Sequence, residues 1–205
     1  MFKRILLAMV FVTVSGSAVA QSSHSMIDRS RSSYYKNLFL TTSVEGEYGK
    51  ISKSEKGSEV LNAESWRGYG IRNGLGIEMM KFTQFSLSHT LLNLRSAKSS
   101  AETLTGSRIA GEFALSFSAP LTNIQFGLGM VLSNLQYRSL DKNSAYSGTG
   151  HYYTVGLNHF FTPTISLQAV AKRIEGENRL SAGESDLTKF ETATDNLSLG
   201  IAVWL

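Results

Sequence analysis

The chain has 205 residues, with 20 lysines and arginines against 16 acidic residues, no cysteine and two prolines. The absence of cysteine excludes disulfides and thiolate-bound metals. The formal charge of +4 falls to +2 once Lys3 and Arg4 are set aside as part of a removable segment. So small an excess of positive charge gives no basis for nucleic-acid binding.

The first twenty residues predict a cleaved signal peptide. Lys3 and Arg4 precede Ile5–Val14, an apolar run that is too short to cross a bilayer as a helix. The small residues Ala18-Val19-Ala20 then form a cleavage site. Residues 21–36 are polar and rich in serine, which predicts a flexible periplasmic lead-in. Residues 37–205 form the remaining domain.

This domain contains eight segments in which apolar and polar residues alternate, so it predicts eight β-strands. We place them at about 37–49, 66–80, 84–95, 108–118, 123–137, 151–161, 164–174 and 192–205. No stretch after the signal approaches the roughly 20 consecutive apolar residues of a transmembrane helix. A membrane-spanning form must therefore be a closed barrel.

The connections between these strands alternate in length. Short connections lie near 81–83, 119–122 and 162–163, and long polar ones near 50–65, 96–107, 138–150 and 175–191. Outer-membrane barrels have short periplasmic turns and longer extracellular loops. We therefore predict an all-β, eight-stranded antiparallel up-and-down transmembrane β-barrel in the bacterial outer membrane, with four mobile charged loops. The alternative is a soluble lipocalin-like barrel whose apolar faces would line a ligand cavity.

Aromatic residues cluster near the predicted strand ends, which predicts two girdles at the membrane interfaces. The periplasmic girdle would contain Phe39, Phe82, Phe85, Phe117, Phe160, Phe161 and Trp204, and the extracellular girdle Tyr48, Trp66, Tyr69, Tyr137, Tyr152 and Tyr153.

The polar faces of the strands interleave glycine with long charged side chains. An eight-stranded barrel is only wide enough for its own side chains, so we predict a plugged interior rather than a diffusion pore. Charges buried there need partners. The predicted interior polar network consists of Glu45, Glu47, Arg72, Glu78, Arg108, Glu112 and Lys172.

The C-terminal segment carries a family resemblance. Ser198, Gly200, Val203 and Leu205 have the spacing of the signal that the barrel-insertion machinery recognises, although most family members end in Phe or Trp. The whole mature chain resembles the small outer-membrane barrels of the OmpX/Ail and OmpA-transmembrane-domain kind. The resemblance implies contact with outer-membrane lipid and lipopolysaccharide, the barrel-assembly machinery as a partner during insertion, and no cofactor or metal. It also implies adhesion, serum resistance or envelope integrity through a host or surface ligand.

His89 is the sharpest candidate for catalysis. It shares the parity of Phe85, Leu87 and Leu91, so alternation places it on the lipid face, where a polar group is costly and often functional. A β-bulge or a cross-strand hydrogen bond would be a structural explanation. Lipid A deacylases of this architecture carry a serine two residues after the histidine, and here that residue is Leu91. The main prediction is therefore a non-enzymatic surface barrel. A lipid A acyl hydrolase or transferase and a channel for small hydrophobic molecules stay as alternatives.

The last predicted loop has an acidic bias, because it carries Glu175, Glu177, Glu184 and Asp186. Such a loop could coordinate divalent cations or contact a basic host surface. It could equally be a solvated loop with no ligand, which is what charged runs usually are.

Overall fold

The computed structural model describes residues 38–55, 63–79, 82–99, 101–118, 121–139, 143–183 and 187–205. The predicted signal peptide and lead-in lie outside these ranges. The described chain forms eight strands: β1 Leu38–Glu55, β2 Glu64–Met79, β3 Thr83–Ser96, β4 Thr103–Ser118, β5 Thr122–Arg138, β6 Asn143–Thr162, β7 Ile165–Ala182 and β8 Leu187–Trp204. No helix in these ranges is long and apolar enough to cross a membrane.

The eight strands close into a barrel. Each strand pairs antiparallel with the next, and β8 pairs with β1 to complete the ring. Closure satisfies the backbone groups of both edge strands, as a span through lipid requires. The predicted eight-stranded antiparallel up-and-down barrel is confirmed.

The outer wall carries a broad apolar band. Leu128 and Met130 on β5, for example, are 61% and 70% exposed, although both are large apolar residues. Equivalent residues project from every strand, among them Leu40, Ile71, Leu87, Phe113, Val155, Leu167 and Leu199. Bilayer hydrocarbon covers a surface of this kind. The lipocalin-like alternative is wrong, because the apolar faces point away from the interior.

The strands are longer than the sequence pattern predicts. β1 continues to Glu55, β2 begins at Glu64 and β8 begins at Leu187. At least half of each predicted long loop is therefore strand, so the connections on this side are shorter than predicted. The error came from judging these segments by their polar outer residues alone.

A second apolar cluster fills the extracellular end of the barrel. Its members point inward and are at most 5% exposed. We call it the cap cluster, and it comprises Ile51, Trp66, Leu92, Leu94, Leu104, Leu135, Tyr137, Tyr146 and Phe190. Most outward neighbours of these residues are polar, as in a water-soluble barrel. Above the apolar band, the sidedness of the strands is thus reversed.

The predicted aromatic girdles are only partly correct. The lower girdle keeps Phe82, Phe85, Phe117 and Phe161 and the upper one Tyr48, Tyr69 and Tyr153, which all project outward. Six other aromatic side chains point into the barrel: Phe39, Phe160, Trp204, Trp66, Tyr137 and Tyr152. Strand parity decides this, because each of the six lies on the inward-facing register of its strand.

Candidate functional site

Ion pairs occupy the interior of the membrane-embedded section. Arg108 Nη1 donates to both carboxylate oxygens of Glu47, at 2.9 and 2.7 Å. Arg72 Nε lies 3.2 Å from Glu45 Oε1, and Lys172 Nζ lies 3.9 Å from the same oxygen. All five residues are at most 6% exposed. Each buried charge thus faces an opposite charge, as burial in a low-dielectric interior requires.

Neutral polar groups complete this network. Gln84 Nε2 donates to Glu78 Oε2 at 3.2 Å, and Thr154 Oγ1 donates to Glu112 Oε1 at 3.1 Å. The Lys172 ammonium lies 4.9 Å from the centroid of the Tyr152 ring. The structure therefore brings all seven residues of the predicted network to the inner wall.

Apolar side chains close the barrel below and above these charges. At the periplasmic end, Trp204 stacks against Phe39 and Phe160, with ring centroids 4.7 and 5.5 Å apart. At the extracellular end, Tyr146 and Phe190 of the cap cluster lie 4.3 Å apart. The cavity between them measures about 30 Å³, which is room for about two water molecules.

Lys53 lies against the cap cluster. Its ammonium lies 3.0 Å from Glu64 and 2.6 Å from Glu102, and 5.5 Å above the Trp66 ring. Burial alone would lower the pKa of Lys53, but the hydrogen bonds to Glu102 and Glu64 outweigh it and raise the pKa above its ordinary value. Burial raises the pKa of Tyr137 beside it.

The residues of the predicted assembly signal divide between the two faces of β8. Ser198 is buried inside and donates to the Val170 carbonyl at 3.4 Å. Gly200 faces inward where the Thr42 carbonyl approaches so closely that a Cβ would collide with it. Val203 and Leu205 project outward with the apolar band. Recognition of this segment by an assembly machinery stays a prediction.

His89 projects from the lipid-facing wall. The pairing of β3 with β2 and β4 continues through His89 without a register shift, so no bulge turns it inward. Its cross-strand neighbours are Asn73 and Ile109. Among the described residues, none forms a hydrogen bond or an ion pair with His89. The geometry of an activated hydroxyl nucleophile is therefore not assembled there.

The other described histidines lie near the two interfaces. His151 is exposed on β6, with Nε2 3.8 Å from Glu175 Oε2. His159 Nδ1 lies 3.0 Å from Thr122 Oγ1, and its ring meets the Phe161 ring edge-on. His24 falls outside the described residues.

Above the apolar band, charged side chains form pairs on the outer wall of β7 and β8. Arg173 Nε donates to Glu175 Oε1 at 2.9 Å, and Arg173 Nη1 donates to Asp195 Oδ1 at 3.4 Å. Nearer the rim, a second group of pairs surrounds Glu177.

Glu177 accepts hydrogen bonds from two cations. Arg179 Nε lies 2.7 Å and Lys189 Nζ 2.8 Å from its oxygens, and Lys189 also lies 2.8 Å from Glu191. The hydrogen bonds from Lys189 and Arg179 hold the pKa of the Glu177 carboxyl below its ordinary value.

These pairs correct the prediction of an acidic last loop. Glu175 and Glu177 belong to strand β7 and face cations, while Glu184 and Asp186 lie outside the described residues. In the part of the chain that the structure describes, no three acidic or histidine side chains gather to hold a metal ion.

An open depression of about 680 Å³ lies on the same wall. The outward residues Lys50, His151, Glu175, Glu177 and Glu191 line it, and the small outward residue Ala193 lies between Lys50 and Glu175. Cross-strand pairing aligns Lys50, Ala193, Glu175 and His151 in one transverse row. We call this surface, from Lys50 across β8 and β7 to His151, the charged wall.

Sequence reasoning missed the charged wall and the cap cluster. The sequence nevertheless contains a pattern that indicates both features. In 50–52, 135–137 and 189–191, apolar and polar residues still alternate with period two, but the apolar residues now occupy the inward positions. A continued period with inverted phase predicts a strand that leaves lipid for water.

No protein-family model and no curated protein matches this sequence. Solved structures share its fold. Neisserial surface protein A (NspA) superimposes with a TM-score of 0.57 at 15% identity, over 81% of this chain and 97% of that one. The outer membrane protein OprG from Pseudomonas aeruginosa superimposes with a TM-score of 0.55 at 6% identity, over 82% of this chain and 96% of that one.

The fold is that of the small eight-stranded outer-membrane β-barrels. Its outward apolar band adds the surface that such a barrel needs in lipid. The chain is an integral β-barrel of the bacterial outer membrane.

Proposed function

We propose that this barrel is a non-enzymatic surface protein whose charged wall binds a partner outside the cell. The observation that carries the proposal is the continuation of β6, β7, β8 and β1 above the apolar band as a paired sheet with ion pairs on its outer face. The sheet holds the charged side chains in fixed positions, which reduces the conformational entropy that is lost on binding.

The charges suggest the chemistry of the partner. Four cations (Lys50, Arg173, Arg179 and Lys189) alternate with four anions (Glu175, Glu177, Glu191 and Asp195). A surface with no net charge does not attract polyanions or polycations over long distances. It complements a partner with charges of both signs, such as a protein surface, through contacts that salt weakens.

The closed interior favours this role over transport. Apolar side chains seal both ends, and ion pairs fill the section between them. We expect no stable large openings when the purified barrel is inserted into planar lipid bilayers. A steady conductance of channel size would overturn the assignment of a plugged barrel.

Outer-membrane lipid and lipopolysaccharide are proposed as the surroundings of the apolar band. The barrel-assembly machinery is proposed as the partner during insertion. Its recognition segment would be the last residues of β8, with Val203 and Leu205 outward.

Attachment of bacteria to coated surfaces tests the proposal. Cells lacking the gene would be compared with the same cells expressing the wild type or E175Q/E177Q/E191Q, on wells coated with extracellular-matrix proteins. We expect the wild type to raise attachment and the variant to lose most of that increase. The matched control is N134A/Q136A, which alters outward neutral residues at the same end of β5.

A heat-modifiability gel on the same membranes verifies equal amounts of folded barrel. Equal attachment with and without the wild-type chain on every coating would contradict the proposed function. Loss of attachment in the control variant as well would show that the charged wall is not the binding surface.

A further inference from the structure

Three polar side chains form a transverse row on the lipid-facing wall. Thr42 on β1 pairs across strands with Asn73 on β2, and Asn73 pairs with His89 on β3. All three are exposed on the outer surface. On either side the row continues with apolar residues, Ile201 next to Thr42 and Ile109 next to His89. The polar row is therefore confined to three strands.

The row lies inside the apolar band rather than at its edge. One step toward the extracellular side are Val44, Ile71 and Leu91, and one step toward the periplasm are Leu40, Leu75 and Leu87, all of them exposed. Apolar residues above and below place the row in the hydrocarbon layer. A polar residue at this depth is costly and is commonly retained for a function.

Hydrogen bonding within the described chain leaves most of the row unsatisfied. Thr42 Oγ1 donates to Asn73 Oδ1 at 2.9 Å. The side-chain amide N–H groups of Asn73 and both ring nitrogens of His89 have no partner among the described residues. Hydrocarbon chains offer neither donors nor acceptors. The row therefore has hydrogen-bonding capacity that a protein partner within the membrane would satisfy.

A second copy of this chain meets that requirement without further assumption. All copies span the membrane in one orientation and at one depth, because the apolar band must match the hydrocarbon layer. A two-fold axis along the membrane normal then brings the row of one copy against the same row of another. Strands tilt by about 35–45° in such barrels, so the two rows cross. An axis that passes beside Asn73 makes them cross at this middle residue.

The chemistry of the row suits such a self-contact. An asparagine amide is both donor and acceptor, and so is a neutral imidazole, so each can pair with its own kind. The flanking leucines, valine and isoleucine give apolar surface to pack around the crossing point.

We propose that Thr42, Asn73 and His89 form the centre of a symmetric contact between two copies of this barrel in the membrane. Polar groups hydrogen-bond at the two-fold axis, and the apolar rows above and below exclude lipid around them. The surface is separate from the charged wall, which occupies β6, β7, β8 and the upper part of β1.

Cysteine cross-linking in outer membranes tests this proposal cleanly, because the natural chain has no cysteine. Leu75 flanks Asn73 on β2 and lies beside the proposed axis, so L75C should form an intermolecular disulfide when a membrane-permeant oxidant is added. A disulfide forms only when the two Cα atoms come within about 7 Å. The matched control is L128C, which lies in the apolar band on β5, on the opposite wall.

We expect the cross-linked fraction for L75C to exceed that for L128C by about tenfold. Adding N73L/H89L to L75C should reduce it to the L128C level. These leucines face lipid and remove unpaired polar groups, so the triple variant should still fold, and a heat-modifiability gel verifies this.

Three results would overturn the proposal. L75C and L128C could cross-link equally, which would indicate random collision. L75C could stay monomeric, which would indicate that lipid or a different protein covers the row. Cross-linking of L75C could survive N73L/H89L, which would mean that the polar row does not form the contact.

Discussion

The membrane-embedded part and the extracellular part of this barrel use the same strands with opposite sidedness. On β5, Leu132 points into lipid and Ser133 into the interior, whereas two residues further Asn134 points into water and Leu135 into the cap cluster. Pairing with β4 continues through this point without a register shift. The strand geometry is constant, and only the solvent outside it changes.

This difference shows what each part needs for stability. Below, lipid covers the apolar outer face, so the interior is free to hold charges provided that each has a partner. Above, water surrounds the sheet, so apolar burial must come from the inside, as in a soluble barrel. The predictions that follow test this contrast.

The largest effect is expected for the ion pair in the embedded interior. R108A leaves Glu47 charged and unpaired in the interior, which should cost about 3–5 kcal/mol of unfolding free energy. Urea unfolding in lipid vesicles, followed by tryptophan fluorescence, measures the loss. E47A/R108A should recover much of it, because neither charge is then isolated. Equal losses in the single and double variants would contradict the role of the pair.

A charge introduced on the outer wall should cost far more stability in the embedded part than in the extracellular part. L128R places a cation at mid-depth in lipid, and its cost should be about 2–4 kcal/mol. N134R lies on the same strand and face but above the band, so its effect should stay within about 0.5 kcal/mol. The same urea titration compares them. Similar costs at the two positions would place the edge of the lipid band above Asn134.

A smaller effect is expected at the ion cluster over the cap. K53M leaves Glu64 and Glu102 without their shared cation, and because both are partly solvated the cost should be about 1–2 kcal/mol. K98M is the control, since Lys98 also lies near Glu64, at 3.7 Å, but is 71% exposed. Its loss should not exceed about 0.5 kcal/mol. Equal losses would mean that burial does not strengthen the Lys53 pairs.

The smallest effect is a dependence on alkaline pH. The pKa of Lys53 in the folded barrel is raised above 10.5, so its stabilisation is complete below pH 10.5 and is lost as pH rises through the folded value. The pKa of Tyr137 is raised as well and acts in the same direction. In W204F, Trp66 is the one remaining tryptophan of the chain and reports on the cap. Its fluorescence should change above pH 10.5, and K53M should shrink that change. A change that begins below pH 10 would contradict this cause.

The sequence predicted the embedded half more completely than the extracellular half. The apolar outer faces of all eight strands can be read from the sequence, because a strand in lipid needs apolar residues along its outer face. β4, with Ile109, Phe113 and Leu115, is an example. The segments at the extracellular end also alternate between outward and inward residues. Their outward positions are polar or charged, however, and each inward apolar residue stands alone between them. Their composition therefore matched that of a loop, and only pairing between distant segments revealed strands.

Parity also predicted the inner wall better than it predicted individual partners. It placed Glu47 and Arg108 inside, yet the contact between them joins β1 to β4 across the barrel interior, which no local pattern specifies. The same holds for the aromatics. Trp66 and Trp204 were expected in the girdles, and their register on paired strands turned them inward.

By itself the sequence determined the number of strands, their antiparallel order and which face of each meets lipid, because a period of two and a bilayer-length apolar band are local properties. The tertiary structure alone decided the cap cluster, the charged wall and the row of Thr42, Asn73 and His89. Each of these unites residues from three or more strands, and their meeting depends on the closure and register of the whole barrel.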